Sequence, residues 1–178
     1  IEVTLGQSLS FLNNTLIIKP KIGFFRYNQN LTMSDGYQVI PNYGSIFGLN
    51  NSYDMQWQGV LLGVDVSKKI TNNCLISFGF EYGRADYTAQ ANWNLRKEFM
   101  HPLSFRHMAN ASGISLNVAA DYKINNKIKW QFFLKNKKWQ TQEGVDETYF
   151  TNNTIAAYPL NKVSWHSALL GVTFVYLL

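Results

Sequence analysis

Glu98, His101 and His107 put one carboxylate and two imidazoles into a single short stretch, the side chains here best suited to moving a proton or holding a metal ion. Their spacing argues against both. His101 and His107 stand six positions apart, which matches no ligand pattern, and no Cys or Asp beside them completes a coordination set. No Gly-x-Ser-x-Gly elbow announces a serine nucleophile. Gly36, Gly44 and Gly48 sit beside Tyr37, Tyr43 and Phe47 as loop glycines, not in a run that would cradle phosphate. The sequence therefore predicts no catalytic set, with Glu98, His101 and His107 as the remaining candidates, and no metal ion or cofactor.

The cations suggest a different chemistry. Net charge is +5, but Lys and Arg are scattered singly and form no stripe that could track a nucleic-acid backbone, so nucleic acid is excluded as a partner. The densest groups are Arg96 with Lys97, and Lys137 and Lys138 with Lys135. They are expected to form a solvated rim, with Arg96, Lys97, Lys137 and Lys138 placed to contact the phosphates of lipid headgroups. The single Cys74 lies in an apolar stripe and has no internal disulfide partner.

What positions these residues is a two-residue hydrophobic period. Between Gly113 and Ile124, Ile114, Leu116, Val118, Ala120 and Tyr122 alternate with Ser115, Asn117, Ala119, Asp121 and Lys123. A strand with that period has one apolar and one wet face. Charges in mid-strand and aromatics at strand ends suit an inside-out barrel in lipid. Mean hydropathy is only −0.17, too polar for a helical membrane protein but compatible with a barrel in which alternate residues face lipid. The longest apolar run, Ala168 to Leu178, is too short for a spanning helix.

Seven alternating stretches follow: Glu2 to Leu12, Thr15 to Leu31, Gln56 to Ser67, Cys74 to Tyr87, Gly113 to Ile124, Ile128 to Thr141 and Val163 to Leu177. Asn-rich turns at Asn13-Asn14, Lys68 to Asn73 and Asn125 to Lys127 alternate with long loops at Met33 to Met55, Thr88 to Ser112 and Gln142 to Lys162. Short turns on the periplasmic side and long loops outside are the outer-membrane arrangement. The lumen is expected to hold Glu2, Lys19, Lys21, Asp65, Glu81, Asp121, Lys123, Lys129 and Lys135, paired across it, with Gly6, Gly23, Gly63 and Gly79 making room for long side chains. That favours a plug of paired side chains over a pore. Trp57, Trp93, Trp130, Trp139 and Trp165, with Tyr82, Tyr87, Tyr122 and Tyr149, are expected in the headgroup girdles.

Seven is an awkward number, because single-chain barrels normally have an even count. An open sheet would leave unpaired backbone in lipid. The reading is one barrel domain over residues 1–178 that lacks amino-terminal strands or receives strands from another chain; a strand overlooked within Thr15 to Met55, giving eight, is the alternative.

The ending Gly171-Val172-Thr173-Phe174-Val175-Tyr176 resembles the Gly-x-x-aromatic-x-aromatic signal read by the barrel-assembly machinery, with Gly171, Phe174 and Tyr176 in its key places. The segment Phe99-Met100-His101-Pro102-Leu103-Ser104-Phe105-Arg106 resembles the omptin segment that follows the catalytic Asp-x-His, and the strand order is similar to the last seven strands of those ten-stranded surface endopeptidases. In that register Arg96 and Glu98 stand where the resemblance implies Asp and His, so the chemistry is not carried over. The expectation is an all-β, antiparallel, up-and-down transmembrane barrel of eight to ten strands when complete. Its place is the outer membrane of a Gram-negative cell, and its role is surface binding, adhesion or structure. Implied partners are outer-membrane lipid and lipopolysaccharide, the assembly machinery, and a host or envelope protein. The alternatives are an omptin-like endopeptidase whose other catalytic residues lie upstream, and a soluble lipocalin-like carrier.

Overall fold

A computed structural model describes residues 1–176. Among them are eleven strands and no helix: β1 (Glu2–Gly6), β2 (Leu9–Phe11), β3 (Leu16–Met33), β4 (Gly36–Gln38), β5 (Gly44–Ile46), β6 (Asn51–Lys69), β7 (Cys74–Asn92), β8 (Phe105–Lys123), β9 (Ile128–Tyr149), β10 (Ile155–Leu160) and β11 (Ser164–Tyr176). β1 and β2 both pair with β3, as one strand interrupted at Gln7 and Ser8. β10 and β11 both pair with β9, as another interrupted before Ser164. The main sheet is thus an antiparallel meander of seven crossings, with β4 and β5 forming a separate hairpin in the first long loop. β1 and β11 are its edges, run in the same direction, and do not pair with each other among the described residues.

The turns follow the chemistry of Asn. Asn13 and Asn14 take φ of 54° and 65°, the left-handed region that Asn tolerates. At the turn between β8 and β9, Asn125 Oδ1 accepts from the backbone N–H groups of Lys127 and Ile128 at 2.8 and 2.9 Å.

Strands reach well beyond the stretches the apolar alternation delimits. β6 begins at Asn51 instead of Gln56, β7 runs to Asn92 instead of Tyr87, β8 begins at Phe105 instead of Gly113, and β9 continues to Tyr149 instead of Thr141. The loops shrink accordingly. The reason is an exchange of faces. In the lower half of β7 the outward residues are Ile76, Phe78, Phe80 and Tyr82, and in the upper half they are Arg84, Asp86, Thr88 and Gln90. Inward, Ser77, Gly79 and Glu81 give way to Ala85, Tyr87, Ala89 and Ala91. β3 and β6 do the same: Phe24 is followed outward by Arg26, and Val60 is preceded by Gln58. The period stays at two, but the apolar residues change sides where the wall leaves the hydrocarbon.

The cross-strand register shows how the wall is tilted. One outward row reads Phe24, Val60, Arg84, Ser112, Gln140. It starts apolar and ends polar, which is what strands inclined to the membrane normal require.

Above the exchange, Phe25, Trp57, Leu61, Ala85, Tyr87, Ala89, Ala111 and Trp139 form a buried core inside the wall. Trp57, Trp139 and Tyr87 are therefore interior residues and not girdle residues, and Trp165 packs against them. Tyr82, Tyr122, Trp130, Phe174 and Tyr176 face outward and remain for the girdles. Trp139 lies on a bed of glycine: a Cβ on Gly113 would stand 2.2 Å from its Cδ2, and one on Gly83 would stand 2.6 Å from its Cη2. The Phe25 ring is 4.6 Å away, centroid to centroid.

Below the core the lumen is ionic. Lys21 Nζ lies 2.8 Å from Asp65 Oδ1 and 2.9 Å from Glu81 Oε1, and Lys137 Nζ lies 2.6 Å from Glu2 Oε2. Tyr27 donates its hydroxyl to the same Glu2 oxygen. A Cβ on Gly63 would meet Lys21 Cε at 2.9 Å, so a lumenal glycine does make room for a lysine stem. Val60, Leu62, Leu134 and Leu170 are half or more exposed on the outside while Glu81 is buried. That arrangement rules out the soluble carrier, whose apolar side chains would line a cavity and whose charges would meet water.

Two predictions follow from the exchange of faces and the glycine bed. Val64→Arg is expected to destabilise the barrel by about 2–4 kcal/mol. Gln56→Arg, on the same face of β6 above the hydrocarbon edge, should stay within about 0.5 kcal/mol. Urea unfolding in lipid vesicles, read by tryptophan fluorescence, separates them, and equal costs would mean that both residues meet one solvent. Gly113→Ala is expected to cost about 1–3 kcal/mol through overpacking. It should cost less in a Trp139→Leu background, and additivity of the two changes would refute the bed.

Candidate functional site

The outer mouth of the barrel is a cup of about 770 Å³ above the aromatic core. Leu31 and Met33 of β3, Tyr53 of β6, Ala91 of β7 and Phe105 of β8 supply its apolar wall, with Trp93 from the following loop at its rim. These side chains converge because the upper strand halves turn their apolar faces inward.

At its base four polar side chains form a line. Tyr53 Oη is 2.6 Å from Tyr87 Oη and 2.8 Å from His107 Nδ1, and His107 Nε2 is 3.4 Å from Asp146 Oδ1. His107 and Asp146 face each other across the β8–β9 ladder, which fixes their approach. The last contact is long, and Asp146 Oδ1 is buried without a hydrogen-bond partner. A buried carboxylate oxygen left so is costly, which makes the cup's floor electrostatically unsatisfied.

The structure does not bring Glu98, His101 and His107 together. Glu98 is at the rim, held by the Arg96 guanidinium, and that hydrogen bond keeps its carboxyl below the usual carboxylate range. His101 Nδ1 lies 2.7 Å from Asn92 Oδ1. His107 alone reaches the cup, and its partner Asp146 belongs to a stretch that sequence reasoning assigned to a loop. The signal that could have found Asp146 is an alternation that resumes in β9 after Thr141, its parity reversed by a bulge opposite Asn110, with Glu143, Val145 and Glu147 flanking Gly144, Asp146 and Thr148.

The segment Phe99 to Arg106 serves packing. Phe99 is wedged between Phe105 and Phe150, with ring centroids 4.8 and 5.6 Å away. The fully buried Ser104 donates its hydroxyl to Met100 O at 3.0 Å and accepts from the Trp93 N–H at 3.0 Å. The loop between β7 and β8 is thereby clamped down. Beside it, Asn94 donates to Asn51 Oδ1 and Gly48 O, both at 2.9 Å, tying the first long loop to the second. That first loop carries the β4–β5 hairpin with Ile40, Tyr43 and Phe47 exposed at 90%, 77% and 86%. Gly44 and Gly48 turn it at φ of 77° and 68°, which strain any L side chain.

The four predicted headgroup cations separate. Lys137 faces the lumen on Glu2, because it shares the inward parity of Lys135 and Trp139. Arg96 and Lys97 lie beyond the end of β7, on the order of 30 Å along the strand past Tyr82 at about 3.3 Å per residue. Lys138 faces outward just above Leu134. Arg26 and Arg84 stand at the same boundary, each the first polar residue after an outward apolar set, and that position is the sequence signal that would have identified them. At the other end of the molecule Gly171 packs on Phe133, while Phe174 and Tyr176 face outward; Leu177 lies outside the described residues.

Tyr53→Phe removes the hydroxyl shared by Tyr87 and His107. It is expected to destabilise the protein by about 1–3 kcal/mol, whereas Tyr37→Phe in the exposed hairpin should cost nothing measurable in the same thermal unfolding experiment.

A search among curated proteins finds no match to the chain. The family model described as Pom, Protochlamydia outer membrane protein, matches residues 1–178. An outward apolar band, a wet lumen and short turns opposite long loops are what such a family requires, and the chain belongs to this family of outer-membrane proteins.

Proposed function

We propose that the protein is a non-catalytic surface-contact barrel that holds a rigid crown outside the outer membrane and binds through it. The observation that carries this reading is the β4–β5 hairpin, whose Val39, Ile40, Tyr43 and Phe47 are exposed on a loop tied to its neighbour by Asn94. Exposed apolar side chains grouped on a held surface loop are the mark of an interaction site. The partner is a host or envelope protein.

Lipopolysaccharide is held by Arg26, Arg84 and Lys138, whose cations stand where headgroup phosphates begin. The assembly machinery reads Gly171, Phe174 and Tyr176. The omptin likeness enters as a likeness of barrel type, supported by the seven-strand meander and by the clamped segment around Phe99. Since β1 and β11 both carry outward apolar residues and unpaired edges, strands beyond this sheet, from the same or another chain, complete the wall.

A second reading, a surface endopeptidase, draws on the pairing of His107 with Asp146, which could activate a water. The two readings separate in one set of variants displayed on cells. Ile40→Asp with Phe47→Asp is expected to lower attachment to host-cell or envelope surfaces by about tenfold, since two apolar anchors are lost. Arg96→Ala should leave attachment unchanged. Attachment insensitive to the hairpin changes, together with cleavage of a dibasic peptide that His107→Ala abolishes and Glu98→Ala does not, would favour the endopeptidase.

A further inference from the structure

The geometry of the outer cup points to an organic ammonium ligand, an apolar or aromatic body bearing a single cationic amine. The inference rests on the reading of the crown as a binding surface and names the chemistry of one part of it. Three features carry it. The wall is apolar and partly aromatic, with Tyr53, Trp93 and Phe105 all lining one volume, and aromatic faces attract cations as well as alkyl groups. No Lys or Arg lines the cup, and Asp146 is its one carboxylate, so the space is negative unless His107 is protonated. Finally, the Asp146 side chain is 27% exposed and lines the cup, and the His107 ring stands back from it, 3.4 Å from the buried Oδ1.

A ligand ammonium entering from outside would pair with the exposed side of the Asp146 carboxylate while its body covers Leu31, Met33 and Phe105. The cup's size suits this, since about 770 Å³ falls within the range of small-molecule sites. The neighbouring cations do not compete for Asp146. Arg106 is on the outward face of β8, and Arg96 is taken up by Glu98 and the Phe99 ring. An anion or a neutral apolar ligand would leave the carboxylate as it stands.

The test uses phenethylammonium as the probe and 2-phenylethanol as its neutral counterpart. Each is titrated calorimetrically into the folded protein in lipid nanodiscs. Saturable one-to-one binding of the amine is expected, with the alcohol about tenfold or more weaker and Asp146→Asn weakening the amine by a similar factor. Asp54→Asn, on the outer face of β6, should change neither. The comparison of amine with alcohol on the unaltered protein does not depend on any variant folding. Equal binding of the two would overturn the inference while leaving the crown a binding surface. Undiminished amine binding by Asp146→Asn, or no saturable binding of the amine at all, would overturn it as well. Failure of the hairpin variants to alter attachment would instead count against the surface-contact reading.

Discussion

The level at which hydrocarbon meets water organises this molecule more than any single contact. A β-strand offers two faces throughout its length, and the solvent outside determines which must be apolar. In lipid, the outward face of β7 is Ile76 to Tyr82 and its inward face ends in Glu81; in water, the outward face is Arg84 to Gln90 and the inward face is Ala85 to Ala91. Backbone hydrogen bonding continues across the boundary unchanged, as the unbroken β6–β7 ladder shows. One continuous wall is therefore an inside-out barrel below and an ordinary water-facing barrel above.

The two halves of the lumen follow from this. Below the boundary the lumen is filled largely by ions, Lys21 and Lys137 with Asp65, Glu81 and Glu2, and Phe133 lies inward over Gly171. Desolvating such groups is costly, and breaking one pair strands the other charge, so losing one partner costs more than the intact pair adds. Above it, hydrophobic burial acts as in any soluble domain. Trp139 needs Gly113 and Gly83 beneath it because an indole laid flat against a sheet leaves no volume for a Cβ. The lumenal ions and the aromatic core meet at Tyr27, which stacks on Phe25 at 4.8 Å and donates to Glu2.

Much of the membrane half was legible in the sequence, because outward sets such as Ile18, Pro20, Ile22 and Phe24 alternate cleanly with the inward Lys19, Lys21 and Gly23. The crown was not. Beyond Tyr82 the alternation persists, but Ala85, Ala89 and Ala91 carry a weak apolar signal and Thr88 and Gln90 look like loop residues. Only Tyr87 and Trp57 hinted at a core, and aromatics near the hydrocarbon edge have a second explanation in the headgroup girdle. For the same reason Lys137 and Lys138 could not be told apart by density of charge; their parity against Trp139 separates them. Asp146 was hidden because a strand was taken to end where its lipid-facing pattern ends.

An aqueous crown with its own core changes what the long loops can do. A loop rooted at the membrane surface moves with the flexible ends of its strands, but here the strands extend past the lipid and are packed on Trp57, Tyr87 and Ala111 before any loop begins. The second loop is then pinned by Phe99 and Ser104, and the first is pinned to the second through Asn94. Order propagates outward from a packed core to a clamped segment to the hairpin that bears Ile40 and Phe47. A surface held in this way gives up less conformational entropy on binding than a free loop of the same composition, so its few exposed apolar side chains can act as anchors.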